Sequence, residues 1–205
     1  MSSIKKQHFD HFFVLDFEAT CLRNELIVPQ EIIEFPCLKL STETFEVEST
    51  FHRYVRPLVR PNLSHFCTEL TGITQEMVEH ESDFSEVFAD FKKWVSEETN
   101  GTKDSFIFVI CGDWDLKTML PHQCQLSEVQ IPEYFDQWIN IKKSYHVAKK
   151  TFPRSLEAMI KGLNLVFQGR QHSGIDDSTN IARIVRILAE KGHVFVNTSS
   201  RVYVN

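Results

Sequence analysis

The sequence has no apolar run near the roughly 20 residues that cross a bilayer, and its opening, MSSIKKQHFDHFFVL, meets an Asp too early for a secretory leader. A membrane-spanning helix is thereby excluded, and a soluble intracellular protein, cytoplasmic or nuclear, is expected. Cysteine is sparse: five residues, at 21, 37, 67, 111 and 124, form no Cys-x-x-Cys pair and no zinc-ligand spacing. This excludes a disulfide framework and a structural zinc site, and the thiols read as reduced and mostly buried. Seven Gly and seven Pro are scattered singly, without repeats, low-complexity blocks or a flexible linker. Nothing divides residues 1–205 into more than one domain. Positive charge is short as well, with 22 Lys and Arg against 28 Asp and Glu for a net charge of −6. That balance argues against a nucleic-acid partner unless the acids hold cations, which reverse the local sign.

What is present is a globular composition, 42% hydrophobic and 24% charged, with two periodicities. Strand-like runs occur at HFFVLDF (11–17), EIIEFPCLKL (31–40), FEVESTFHRYV (45–55) and SFIFVIC (105–111), rich in Phe, Val and Ile. Short connections make the first three antiparallel neighbours. The fourth follows a helix over 84–98 that carries Phe84, Val87, Phe88, Phe91 and Val95 on one stripe. A further helix begins at Trp114. The last starts near Gly174 and ends before Gly192, with Ile181, Ile184, Val185 and Leu188 on one face. The class is α/β, a mixed sheet flanked by helices.

Acids gather at three places. In FFVLDFEATC, Asp16 and Glu18 project from one face of a strand with Cα atoms roughly 7 Å apart, close enough to share a cation. A solvated acidic strand end explains that spacing equally well. In FVICGDWDLKTML, Asp113 and Asp115 stand at a helix start, where at least one is expected to cap the helix and the other is free for another role. In GRQHSGIDDSTNIARIVRILAEKG, Asp177 lies on the face of Ile181, Ile184 and Leu188, while Asp176 shares the polar face of Asn180 and Arg183. A core-facing Asp needs a partner because an unpaired buried charge is costly, and a metal ion is the natural one beside other acids. Three acidic sites with His172 five residues before Asp177 suit phosphoryl transfer assisted by two divalent ions, with the His taking a proton from water. A lone His in a Gly-flanked loop is otherwise structural or solvated.

The segments LDFEAT, GDWD and HSGIDD resemble, in order and spacing, the three motifs of the DEDDh 3′-to-5′ exonucleases. The resemblance extends over about residues 10–190 and implies a ribonuclease H-like, mixed five-stranded sheet. QEIIEFP, YVRP, GDWDLK, QWINIKKSY and GIDDSTNIARI are similar to the metazoan exoribonuclease subgroup typified by the histone-mRNA 3′ exonuclease, and within it to the branch described as prion-protein-interacting. It implies two Mg²⁺ per site, with Mn²⁺ able to substitute. Asp16 would bridge both ions, Glu18 and Asp177 would complete the site of the ion that activates water, and Asp115 would hold the second. His172 would be the general base. Glu18 would also touch the terminal ribose, with Ala19 lining the nucleotide's seat. FCTELTGIT (66–74) resembles the family's terminal-nucleotide segment, so Leu70, Thr71 and Ile73 would pack on the last base, ordinary loop packing being the alternative. Lys142, Lys143, Lys149, Lys150 and Arg154 would track upstream phosphates or form a solvated helix face. The expected partner is RNA with a free 3′ end, single-stranded DNA also being a substrate class of such enzymes, and the products are nucleoside 5′-monophosphates from a monomeric enzyme. The chain begins almost at its first catalytic strand, so stem-loop recognition by an added N-terminal domain is not expected. The rival reading is an inactive homologue that binds RNA or protein, but none of the five motif positions is lost.

Overall fold

The structure, a computed structural model, describes residues 4–101 and 105–201. β1 (His11–Leu15) runs through the middle of the sheet, antiparallel to β3 (Ile32–Ser41) on one side and parallel to β5 (Phe106–Ile110) on the other. β4 (Val47–Tyr54) lies antiparallel outside β3, and β6 (Gln137–Asn140) parallel outside β5. These five strands form the expected mixed sheet. Two-residue ladders extend it, β2 (Glu18–Ala19) on β3 and β7 (Ser199–Ser200) on β6.

Side-chain alternation along β1 feeds two cores. Phe13 and Leu15 face the layer made by α3 (Phe84–Glu98), where Phe35, Phe88, Phe91, Phe108, Phe135 and Trp138 pack. Phe12 and Val14 face α5 (Ile141–Lys149), α6 (Leu156–Gly162) and α7 (Gly174–Glu190). The layers differ in chemistry. The first is rich in aromatic rings and the second is built mainly of aliphatic residues. β3 is buried along all ten residues, which explains its nearly unbroken apolar run. α3 begins at Asp83, whose carboxylate accepts from the N–H groups of Ser85 and Glu86, and it buries the five residues of the expected stripe. α1 (His65–Thr71) and α2 (Gln75–Val78) cover Ile33 with Cys67, Ile73 and Val78 in a third, smaller cluster.

The helix expected from Trp114 has an irregular first part. Residues Asp115–Met119 form a π turn that leads into α4 (Leu120–Leu126). Pro121, in the first turn of α4, has no N–H to give and would crowd a regular helical turn ahead of it, so the wider turn relieves that conflict. All five cysteines are free, three of them buried. No helix among the described residues is long and apolar enough to cross a membrane.

Candidate active site

β1 ends at Leu15, so Asp16 and Phe17 leave the ladder before β2 resumes it at Glu18. The interruption replaces the single strand expected over 11–17. It does not change parity. Phe17 enters the aromatic core, while Asp16 and Glu18 stay together on the side of α7. The N–H that Phe17 takes out of the sheet donates to Asp115 Oδ1 at 3.0 Å. That bond ties the first acidic site to the π turn and holds Asp115, only 5% exposed, against β1. Neither Asp113 nor Asp115 caps this helix, contrary to the expectation that one of them would: no side-chain cap bond is made there, and Asp113 accepts from Trp138 Nε1 at 2.9 Å and pairs with Lys143.

The third acidic site arrives on α7, which lies across β1 and β3. Gly174 makes that approach possible, because a Cβ at this position would stand 2.5 Å from the backbone oxygen of Asp16. Asp177 is buried on the face shared with Ile181, Ile184 and Leu188, as its spacing predicts. One of its oxygens accepts the backbone N–H of His172 at 3.1 Å. His172 itself adopts a left-handed backbone, φ 60°, uncommon outside Gly. This conformation folds its ring over the acids. Ligand atoms of Glu18, His172 and Asp177 all lie within 4.8 Å of one another.

The acids strain against each other electrostatically. Burial first, then the charges of Asp115, Asp177, Glu18 and Glu34, push Asp16 well above the usual carboxylate range. Burial and the same kind of neighbours, Asp177 foremost, raise Glu18 to about 9. Burial raises Asp115 to about 6, against the opposing pull of the Phe17 N–H. Asp177 rises to about 7, again chiefly through burial, although the His172 N–H opposes the rise. Groups so crowded are stable as anions only with a cation among them. Glu18, His172 and Asp177 are the motif residues whose ligand atoms gather within 4.8 Å, while Asp16 and Asp115 stand outside that group and bear on it through their charge. Carboxylates with an imidazole fit a hard divalent ion and do not fit a thiolate-seeking metal.

Other sequence-based expectations are modified. Asp176, partly exposed on the polar face, accepts the backbone N–H of Arg170 at 2.8 Å, whereas its neighbour on that face, Asn180, is fully buried against the main chain of Gln168. The loop preceding α7 folds back over this face and covers it. Thr71 is buried and turns its hydroxyl to Cys67 O, while Ile73 joins the third core cluster, so both side chains are packed inward. Leu70 stays partly exposed at the rim, and Ala19 is buried in β2. Lys143 fastens Thr198 and Ser199, and Lys142 bonds to Arg154 O, whereas Lys149, Lys150 and Arg154 lie at the surface.

The sequence reasoning missed Glu34. It is only 1% exposed, and its carboxylate accepts the N–H groups of Gly174 (2.8 Å) and Ile175 (3.1 Å) while pairing with His52 at 2.8 Å. Ser173, the residue before α7, makes no side-chain cap of its own. Glu34 caps α7 from another element and so sets the height of Asp177. A signal was present: an acid inside the apolar run EIIEFP must find donors to be buried.

A family model described as Exonuclease matches residues 13–185. The chain is 51% identical to ERI1 exoribonuclease 3 from Bos taurus over 203 residues, covering 97% of this chain and 59% of that protein. It is 42% identical to 3′-5′ exoribonuclease 1 from Mus musculus, covering 96% and 58%. The chain thus spans less than two thirds of the length of these curated relatives. Among solved structures, the nuclease domain of 3′hExo, a DEDDh family member bound to rAMP, superimposes with a TM-score of 0.91 at 38% identity, covering 96% of this chain and 100% of that one. A structure of a 3′-exonuclease recognising the 3′ end of the histone mRNA stem-loop matches with a TM-score of 0.87 at 37% identity, covering 97% and 74%. These matches bear out the ribonuclease H-like architecture expected from the motifs.

Proposed function

The chain belongs to the exonuclease family, and from that membership we propose that it is a metal-dependent 3′-to-5′ exoribonuclease with one catalytic domain, its core spanning about residues 10–190. The observation that carries the reading is the convergence of Glu18, His172 and Asp177, from a strand, a loop and a helix, with their ligand atoms inside 4.8 Å. RNA with a free 3′ end is the substrate, single-stranded DNA being accepted as well, and nucleoside 5′-monophosphates are the products.

Asp16, Glu18, Asp115 and Asp177 would hold two divalent ions, Mg²⁺ with Mn²⁺ as a substitute. When bound, the ions supply Lewis acidity toward the phosphodiester and toward water. The protein supplies order. Asp177 holds the His172 loop through a backbone bond, so the imidazole stays beside the carboxylates and can take the proton of the attacking water at a ring nitrogen. Glu18 would touch the terminal ribose, with Ala19 next to it in β2 lining the nucleotide's seat, and the partly exposed Leu70 would offer the edge on which the last base packs. A single-nucleotide step follows from a site that reads an end.

The test uses linear RNAs labelled at either end and a circular RNA, with Mg²⁺, with Mn²⁺ and with excess chelator. Linear RNA is expected to shorten from its 3′ end only with metal, and His172→Ala is expected to stop turnover while leaving Mn²⁺-dependent RNA binding in place. Cleavage of the circle, full activity in chelator, or a His172→Ala variant at the parent rate would each defeat the proposal.

A further inference from the structure

The loop that carries His172 is tied to two different helices, and one residue makes both ties. Arg170 donates its backbone N–H to Asp176 Oδ2 at 2.8 Å, which fastens it to the first turn of α7. Its Nη2 donates to the carbonyl oxygens of Glu69 and Leu70 in the last turn of α1. These carbonyls are among the four that a helix leaves unpaired at its C-terminal end, where a cation is favoured. The Arg170 side chain packs close against Gly72, the cap of that helix. At Gly72, whose φ is 82°, an added Cβ would stand 2.9 Å from Arg170 Nε and 3.2 Å from its Cδ and Cζ. On the other side, Gly169 at φ 77° lies so close to Asp176 that an added Cβ would be 2.2 Å from the carboxylate carbon. Bare backbone on both sides of Arg170 allows this close seating.

α1 carries Leu70, and the loop carries His172. We propose that Arg170 is a positioning residue that locks these two segments into one unit, so that the general base is held in register with the edge on which the terminal nucleotide packs. The inference rests on the exonuclease reading. It assigns the Arg170 charge to helix carbonyls rather than to an RNA phosphate. Both side-chain bonds come from one nitrogen, so a Lys ammonium can reproduce them, although without the guanidinium's close packing on Gly72.

The full chain with Arg170→Ala, Arg170→Lys and His172→Ala is assayed for kcat and KM on single-stranded RNA, for binding of Mn²⁺ alone, and for thermal stability. Arg170→Ala is expected to lower kcat by about tenfold to a hundredfold, the cost of a small misplacement of a catalytic group. KM and Mn²⁺ affinity are expected to stay near the parent values, and Arg170→Lys to regain most of the loss. A near-parent kcat in Arg170→Ala beside an inactive His172→Ala would overturn the inference and leave the exonuclease reading standing. A rise in KM at unchanged kcat would reassign Arg170 to phosphate binding, and a loss that tracks melting and that Lys does not restore would make it merely structural. Either result overturns the inference. A parent chain without metal-dependent turnover would remove the reading on which it rests.

Discussion

Asp176 and Asp177 are neighbours in sequence and point about 100° apart on α7. One accepts from the backbone of His172 inside the acidic cluster, and the other from the backbone of Arg170 outside it. Their amide variants should therefore part company. Asp177→Asn removes a charge from the ion-binding set and should lower turnover by at least about a hundredfold, the upper end of what losing a mere supporting contact to a metal ligand costs. Asp176→Asn keeps an oxygen for Arg170 and should stay within about threefold of the parent, since the bond survives and only its charge-assisted share, about 1 kcal/mol, is lost. Turnover at saturating RNA and Mn²⁺ titration of both variants decide the matter. Equal losses would show that Asp176 also serves the ions.

At the scale of elements, the height of α7 over the sheet is set by Glu34 in β3. Two effects compete when Glu34 is removed. Its charge helps to raise Asp16 and Glu18, so its loss relieves repulsion, but the N–H groups of Gly174 and Ile175 lose their acceptor. The second effect should win, because burial raises Asp16 and Glu18 more than the charge of Glu34 does, while each charge-assisted bond is worth about 1.5–3 kcal/mol. Glu34→Ala is expected to destabilise the chain by about 3 kcal/mol, and Glu34→Gln by less, since one amide oxygen can still accept from the helix end. Denaturant unfolding gives the stability and the RNA assay gives turnover, which should fall further than stability because Asp177 shifts with the helix. An unchanged midpoint in Glu34→Ala would mean that Ser173 or water takes over the cap.

For the whole molecule, the four raised carboxylates link folding to pH and to metal. A group whose pKa is higher in the folded state keeps a proton that the unfolded chain has already released, so stability falls as pH rises between the two values. Asp115 at about 6, Asp177 at about 7 and Glu18 at about 9 set that window, from the ordinary carboxylate range upward, with Asp16 adding to it in the same direction. In excess chelator the melting temperature should decline from pH 5 to pH 9. On the proposed reading Mg²⁺ should restore most at the alkaline end, because it would bind the ionised cluster and only the folded chain presents that cluster. A melting temperature in chelator that is flat or rises over this range would contradict the crowding of the acids.

Local order was legible in the sequence wherever the controlling interaction is short in range. The α3 stripe, the start of α7 at Gly174, the core-facing position of Asp177 and the shared side of Asp16 and Glu18 all follow from periods of 3.6 and 2, which need no partner to be read. The motif residues as a set were legible through the resemblance of LDFEAT, GDWD and HSGIDD to the DEDDh motifs, not through periodicity. What only the tertiary structure decided are contacts between segments far apart along the chain. Glu34 meets Gly174 across 140 residues, Arg170 meets Glu69 across 101, and Phe17 meets Asp115 across 98. Each pairs a side chain with a backbone group, and backbone groups carry no residue identity. A sequence can therefore show that a buried acid such as Glu34 needs donors, but only the fold, by bringing a helix end to it, determines which ones it finds.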